Sequence, residues 1–487
     1  MTRISPARSV RAAALAATLL TGACASVPNL GAKPEMSAPS TFASTESLGT
    51  SQAAWPKDGW WLRYGDPQLS RLIDEALISS PDLEAAAARM RAADGFAQRA
   101  GAALKPTIDG FAQPELAKQS QNQAMPASAI PNGWNDSGSV GLSFSLDLDL
   151  WGKNRAAFRA ANADADAARY EMEAAKLALT TGIASTYADL ASLYAQRDTL
   201  ESALTIRTQT AKLVAQRTAS GLDTRAELKQ AEARIPQTKA DLDATDEAIA
   251  LTKNALAALI GAGPDRGLLI ERPATGAPQA QGLPADASTD LIGRRPDIAA
   301  ARARVEAAAD RIKEARAAFY PNINLTALIG FQSFGLGSLF SSGSQFGSVS
   351  PAVSLPLFHG GALQGQYRGR RGQYDEAVAL YDRQVIEALR ETADAVTSKK
   401  KLVSRLAESR SALASYEEAH ALARQRYEHG LATYLDVLSA EEGVVSARNT
   451  VADLEARAFT LDVQLVRALG GGFAAPTTKD SGGFHAA

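Results

Sequence analysis

The chain has 487 residues, and its 51 Lys and Arg residues against 53 Asp and Glu residues give no basic excess that would favour nucleic acid as a partner. Its single Cys excludes a disulfide framework within the chain and a Cys-based zinc site, and its four His residues show no ligand spacing. The sequence contains no Ser/His/Asp set, P-loop or dinucleotide-binding glycine motif, so we expect no catalytic residue, no metal and no cofactor.

The N-terminus predicts a secretory signal peptide over residues 1–23. Three Arg residues precede an apolar run at 12–20, which is too short for a membrane-spanning helix. Cys24 lies where cleavage would occur, and TGAC resembles a bacterial lipobox with a lipidated Cys; ordinary cleavage beside a chance Cys is the alternative. Residues 24–54, rich in Ser, Ala, Thr and Pro, are predicted to form a lipid-anchored tether.

The remaining chain is an internal duplication. Residues 81–108 align with 296–323 without a gap, at an offset of 296 − 81 = 215, with 13 identities in 28 positions. QRTASGLDT (216–224) aligns with QRYEHGLAT (425–433) at an offset of 425 − 216 = 209. Fixed offsets over such lengths indicate two structural repeats. The predicted boundaries are 55–261 for the first repeat, 262–294 for a linker, 295–470 for the second repeat and 471–487 for a C-terminal tail.

Each repeat predicts one β-hairpin, with strands that alternate apolar and small polar residues. One apolar face suits either a half-buried soluble strand or a tilted transmembrane strand. Four strands cannot close a barrel, and lipid does not tolerate an open edge, so membrane-spanning strands would require several chains. Three chains would supply twelve strands. The apolar positions are Val140, Leu142, Phe144, Leu146 and Leu148 in the first repeat, and Ile323, Leu325, Ala327 and Ile329 in the second.

Long helices fill the rest of each repeat. Apolar residues recur every seven positions from Leu228 to Leu256 and again from Val437 to Leu465. A period of 3.5 residues predicts a left-handed coiled coil. A second apolar column begins at Leu438, so these helices can pack on neighbours at both sides.

The turns between the long helices are SGLDT (220–224) and HGLAT (429–433). Gly suits the left-handed conformation at a helix end, and Thr can cap the helix that follows. A Leu at each tip has no such local reason, which indicates a surface for a partner. The tip residues are Gly221, Leu222, Thr224, Gly430, Leu431 and Thr433.

Several stretches resemble the TolC-type outer-membrane factors, specifically the NodT-like lipoprotein branch that serves resistance–nodulation–division efflux pumps. They include LDLWGKNRAAFRAA (148–161), the segment from Arg294 to Ile323, and YEHGLATYLDVLSAEEGVVSARN (427–449). The resemblance covers nearly the whole mature chain. It implies an α+β membrane protein with four transmembrane strands per protomer, a twelve-stranded trimeric barrel and a long periplasmic α-helical coiled-coil tube.

The same resemblance implies the function and the partners. The chain would form, as a homotrimer in outer-membrane lipid, the exit duct of a tripartite efflux pump. Its tips would meet a periplasmic adaptor (membrane fusion) protein, and through it an inner-membrane transporter. Two alternatives remain: an outlet for an ABC-type protein secretion system, and a lipid-anchored periplasmic coiled-coil scaffold.

A gate is implied just after the second tip. Asp436 matches the first of two acidic positions that ring the constriction in the family, whereas the second position is Ser439, which thins the ring. Tyr427 matches a tyrosine that helps latch the closed state in some members. The alternative for Asp436 is an acid in a helix first turn, where the helix dipole favours it.

Overall fold

The computed structural model describes residues 26–38, 41–48, 53–120, 122, 131–274, 284 and 293–475. The signal peptide and Cys24 lie outside the described residues, and so does most of the C-terminal tail. We number the elements in chain order. They are α1 (Thr45–Leu48), a 3₁₀ helix (Trp60–Tyr64), α2 (Pro67–Ser79), α3 (Pro81–Ala102), β1 (Thr107–Ala117), β2 (Asn135–Asp147), α4 (Lys153–Ala219), α5 (Arg225–Leu259), α6 (Pro264–Leu268), α7 (Pro296–Ala317), β3 (Asn322–Phe334), a 3₁₀ helix (Leu336–Ser338), β4 (Gln345–Ser354), α8 (Ala362–Glu428) and α9 (Tyr434–Ala468).

The structure confirms the duplication in its element lengths. Helices α3 and α7 each have 22 residues and begin 296 − 81 = 215 positions apart. Helices α4 and α8 each have 67 residues, and α5 and α9 each have 35. Both pairs begin 209 positions apart, as 362 − 153 and 434 − 225. The two offsets in the sequence therefore belong to two successive parts of one repeated unit.

The chain divides into two compact units, and each contains segments of both repeats. One unit comprises the residues up to Met36, Met90–Ala168 and Ala301–Tyr381. The other comprises Ser37–Arg89, Arg169–Ala300 and the residues from Asp382 onwards. The whole sheet belongs to the first unit, and both helical hairpin tips belong to the second.

The four strands form one antiparallel sheet in the order β1-β2-β3-β4. Its register aligns Ile108 with Phe144, Phe144 with Ala327, and Ala327 with Val349, so an apolar row crosses all four strands. Because successive side chains point to opposite faces, the adjacent row must lie on the other face.

That adjacent row is polar throughout. It joins Thr107, Ser145, Thr326 and Ser350 across the four strands. The predicted alternation of one apolar and one small polar face is confirmed, and the register extends each face across both repeats. Several apolar side chains of the first face are exposed in the single chain: Ile108, Leu142, Ile329, Val349 and Val353.

The core of the second unit is built around the WWLRYGD stretch. Trp60, Trp61 and Tyr64 are buried, and the Tyr64 ring lies 4.2 Å from the Phe459 ring of α9. Asp66 caps α2 by accepting from the backbone N–H of Gln68, at 2.8 Å. This segment therefore packs its aromatic side chains against the long helices and holds the start of α2 in place.

The predicted coiled-coil columns face the interior of this unit. Ile249 and Leu256 of α5 are buried, as are Val437 and Leu465 of α9. Helical packing, rather than intrinsic helix propensity, supplies most of the stability of such long helices. Within the residues that the structure describes, no helix is both long and apolar enough to cross a membrane.

Candidate gate at the hairpin tips

Both tips end their first helix with the same backbone. Gly221 has φ 73° and Gly430 has φ 75°, the left-handed conformation that glycine adopts without steric cost. The N–H of Leu222 donates to the carbonyl of Arg217 at 2.9 Å, and that of Leu431 donates to the carbonyl of Arg426 at 2.8 Å. These bonds satisfy carbonyls that the helix end would otherwise leave unpaired.

Each following helix is preceded by a Thr whose backbone N–H donates to the carboxylate of an acid three residues later. Thr224 donates to Glu227 Oε2 at 2.7 Å, and Thr433 donates to Asp436 Oδ2 at 2.8 Å. The hydroxyl of Thr433 donates to the same oxygen at 2.8 Å. The bonds from the Thr433 backbone and side chain lower the pKa of the Asp436 carboxyl. The structure thus gives Asp436 a capping role in its own helix.

The tips also present an exposed surface. Leu222 and Leu431 are 66% and 70% exposed, so water surrounds both apolar side chains in the isolated chain. Leu435, Asp436 and Ser439 of α9 are exposed as well. Since Ser439 follows Asp436 by three residues and Leu435 by four, it lies next to both of them on the surface of the first turns of α9.

Tyr427 lies at the end of α8 and is fully buried. Its hydroxyl donates to Asp223 Oδ2 of the other tip, which is part of the first repeat. Arg217 closes the group, since its Nε lies 3.0 Å from the same Asp223 oxygen and its NH1 donates to the Tyr427 carbonyl at 3.0 Å. We call these three residues the tip latch.

Cation–π and ion-pair interactions both stabilise the tip latch. The Arg217 guanidinium lies 4.5 Å from the centre of the Tyr427 ring, a cation–π distance. Burial and the neighbouring Asp223 carboxylate both raise the pKa of the Tyr427 hydroxyl, which therefore stays protonated and remains a donor. The side chains of Arg217 and Asp223 are 13% and 6% exposed, so this ion pair is screened far less than a surface pair.

A second buried group ties the repeats together away from the tips. Arg207 of α4 donates through Nε to Glu441 of α9 at 2.7 Å and through NH1 to Thr238 of α5 at 2.5 Å. Arg207 and Glu441 are 9% and 3% exposed. Removing one partner would leave a buried charge unpaired, so this group fixes α9 against the first hairpin.

Sequence reasoning singled out Tyr427 but missed its partners Asp223 and Arg217. A usable signal lies in the aligned tip motifs, QRTASGLDT and QRYEHGLAT. Tyr427 replaces Thr218, and Asp223 replaces Ala432, so two positions where the repeats differ are the two that bond to each other. The motifs differ at four positions in all, so this signal narrows the candidates for a contact but does not single out the pair.

A sheet with one apolar and one polar face, joined to paired helices of 67 and 35 residues, defines an outer-membrane channel subunit. The crystal structure of the outer membrane protein VceC from Vibrio cholerae has this fold. It matches with a TM-score of 0.82 at 45% identity, over 86% of this chain and 100% of VceC.

A family profile described as "Outer membrane efflux protein" matches residues 72–262 and 287–471, and the chain belongs to this family. It is 30% identical over 478 residues to the multidrug resistance outer membrane protein MdtP of Shigella flexneri, across 96% of this chain and 97% of MdtP. It is 35% identical over 363 residues to the fusaric acid resistance protein FusA of Burkholderia cepacia, across 73% of this chain and 68% of FusA.

The protein is an outer-membrane efflux channel. The predicted resemblance, fold class, function and outer-membrane location are confirmed by the family and by the channel fold. The family is one of channels, and the absence of catalytic activity stays a prediction. The repeat boundaries, the lipidation of Cys24, the acidic ring and the adaptor contacts also stay predictions.

Proposed function

We propose that three copies of the chain form the exit duct of a tripartite efflux pump, with a gate at the hairpin tips. The observation that carries this proposal is the sheet. Its apolar face is exposed, and within the described residues β1 and β4 each pair on one side only. Exposed strand edges are not stable in lipid, so neighbouring copies must cover them.

Three copies of a four-stranded sheet would close a twelve-stranded barrel, an even number in the usual range. The apolar face would then meet lipid, and the row of Thr and Ser residues would line an aqueous lumen. The long helices have no apolar stretch suited to lipid, so we place them outside the membrane, in the periplasm. This arrangement accounts for both apolar columns, since each helix of a closed wall packs on two neighbours.

The tips would be the closed, adaptor-facing end of the duct. In support, Leu222 and Leu431 are exposed at matching positions, and an adaptor protein with an apolar groove would bury them. The tip latch would hold the second hairpin against the first in the resting state. Release of α8 and α9 from Asp223 would widen the opening. MdtP is named for multidrug resistance and FusA for fusaric acid resistance. We propose that an inner-membrane pump, and not the duct, selects the substrate of this protein.

The test is ion selectivity of the purified protein in a planar bilayer. Three Asp436 side chains around a pore would favour cations, so Asp436→Ala should reduce cation preference. Glu227→Ala is the matched control, because it removes the corresponding capping acid from the other tip. Equal changes in both variants would show that a ring of Asp436 side chains does not set the cation preference of the pore. A folded protein that forms no channel at all would overturn the exit duct and favour the scaffold.

A further inference from the structure

A cleft of about 480 Å³ opens where the sheet meets the helices of the first unit. Helix α4 begins just after β2, and α7 ends just before β3, so both helices border the same end of the sheet. The cleft is lined by two aromatic rings and four basic side chains. These are Trp151, Arg155, Arg159, Lys313, Arg316 and Tyr320.

The aromatic rings form the wall next to the strands. Trp151 and Tyr320 stack with ring centres 4.9 Å apart and an angle of 22° between the planes. The indole N–H of Trp151 donates to the carbonyl of Pro321 at 2.8 Å, which fixes the ring at the start of β3. Both rings are exposed in the single chain. Trp and Tyr at strand ends are typical of the interface between membrane and water.

The basic side chains form two matching stripes. Arg155 and Arg159 lie four residues apart on α4, whereas Lys313 and Arg316 lie three apart on α7, so each pair shares one face of its helix. Tyr320 continues the second stripe beyond the end of α7. The two helices thus place their basic side chains in the same cleft.

The surface of the cleft is positive although two carboxylates pair with its basic side chains. Asp149 bonds to Arg155, and Asp310 bonds to Arg159 and Lys313. These carboxylates are 8% and 13% exposed, whereas their three basic partners are between 51% and 59% exposed. The negative charge is therefore covered, and the positive charge faces outward.

Arg316 adds an uncompensated charge. Among the residues that the structure describes, its guanidinium has no hydrogen-bond or ion-pair partner, and the residue is exposed. The four basic side chains that line the cleft and the two carboxylates paired with them sum to a charge of +2. A planar guanidinium with free donors is well suited to bind phosphate oxygens.

The duplicated junction provides an internal comparison. With offsets of 209 and 215, Arg159 corresponds to Arg368, and a cation is kept. The other three cations have uncharged counterparts, so the fold itself does not require them. These counterparts are Gln364 for Arg155, Gln98 for Lys313 and Gly101 for Arg316.

We propose that this cleft binds the phosphate-bearing headgroup of an anionic phospholipid. The rings would lie at the level of the headgroups, and the basic stripes would reach the phosphate from the water side. The bound lipid would anchor the junction between sheet and helices at a fixed depth. The proposal rests on the proposed function, because it needs the sheet to cross the membrane.

The test is retention of lipid by the full-length purified protein, measured by native mass spectrometry. We expect wild type to retain phosphatidylglycerol in preference to phosphatidylcholine. Lys313→Gln with Arg316→Gln should weaken phosphatidylglycerol retention by about thirtyfold. Lys400→Gln with Lys401→Gln removes the same charge from exposed positions of α8 and should leave retention unchanged. Arg316→Gln alone, which breaks no internal pair, should give an intermediate loss.

Four results would overturn the proposal. Three of them are equal retention of both lipids, unchanged retention in the double variant, and binding of free glycerol 3-phosphate as tight as that of the lipid. A cleft covered by a neighbouring copy would show no retention and would overturn it too. Planar-bilayer conductance of the same preparations separates the two proposals. Channels without lipid preference refute the cleft alone, whereas a folded protein without channels refutes the exit duct.

Discussion

The tips at 220–224 and 429–433 share their helix-ending hydrogen bonds, a left-handed glycine and an exposed leucine, yet they differ in the groups beside them. The first tip carries the acceptor Asp223, and the second is preceded by the donor Tyr427. Two copies of either present motif could not make this bond, because both copies would carry only the Asp or only the Tyr. The duplication supplied the backbone, and divergence at two positions supplied a contact between the copies.

The difference matters because a gate requires one hairpin to move relative to the other. The Arg207–Glu441 pair lies between the same hairpins and holds α9 through a buried ion pair. The tip latch, by contrast, lies at the free end of the hairpins. We therefore expect the tip latch to control opening, and the Arg207 group to control the stability of the helical wall.

The largest effect is expected for Asp223→Ala, which removes the acceptor that Arg217 and Tyr427 share. It leaves a poorly exposed guanidinium without its carboxylate partner, a loss of about 3–5 kcal/mol for a buried pair. The closed state should no longer dominate, and liposomes containing the variant should release a trapped dye faster than wild type. Asp243→Ala, an exposed carboxylate on α5, is the control. Equal dye release from both variants would show that the contact made by Asp223 between the two tips does not hold the channel closed.

A smaller effect is expected for Tyr427→Phe, which removes only the donor hydroxyl. A hydrogen bond to a charged group contributes about 1.5–3 kcal/mol. The coupling free energy between Tyr427→Phe and Asp223→Asn can be measured in a double-mutant cycle of amide-exchange protection at the tips. It should be well above the small deviation from additivity that distant residues show. Additive losses would mean that the two groups act independently in solution.

The shared backbone predicts equal effects at the two glycines. A Cβ at Gly221 or Gly430 would meet no atom within 4 Å, so the cost of substitution comes from the left-handed backbone alone. Gly221→Ala and Gly430→Ala should each reduce the free energy of unfolding by about 1–2 kcal/mol. Denaturant unfolding of both variants checks this equality. A markedly larger loss at one tip would show that the tips differ in their backbone too.

The smallest effect concerns pH. The pKa of Asp436 is lowered by its bonds to Thr433, so the cap stabilises α9 above the ordinary Asp pKa of about 3.9. That contribution is lost as pH falls through the lower pKa of the folded state. Amide-exchange protection at 434–437, corrected for intrinsic rates, should therefore fall only at strongly acidic pH. The Asp436→Asn variant should lack this pH dependence, and a wild-type loss near neutral pH would contradict the assignment.

The sequence predicted the features that depend on local pattern. The offsets of 215 and 209, the alternation from Val140 to Leu148 and the Gly–Leu–Thr tips all have short-range physical causes. It could not predict which side chains meet across the repeats. The bond between Tyr427 and Asp223 spans 204 positions and depends on how the hairpins pack. The sequence did not predict the charged cleft at Trp151 for the same reason, since α4 and α7 supply its two basic stripes from distant parts of the chain.

The most direct measurement is the open probability of single channels of the purified protein in a planar bilayer, compared between wild type and Tyr427→Phe. A channel closed by the tip latch predicts a low open probability in wild type and a ratio of open to closed channels that is about tenfold or more higher in the variant. Identical open probability in both proteins, with folding shown to be intact, would contradict the claim that the contact between the tips holds the channel closed.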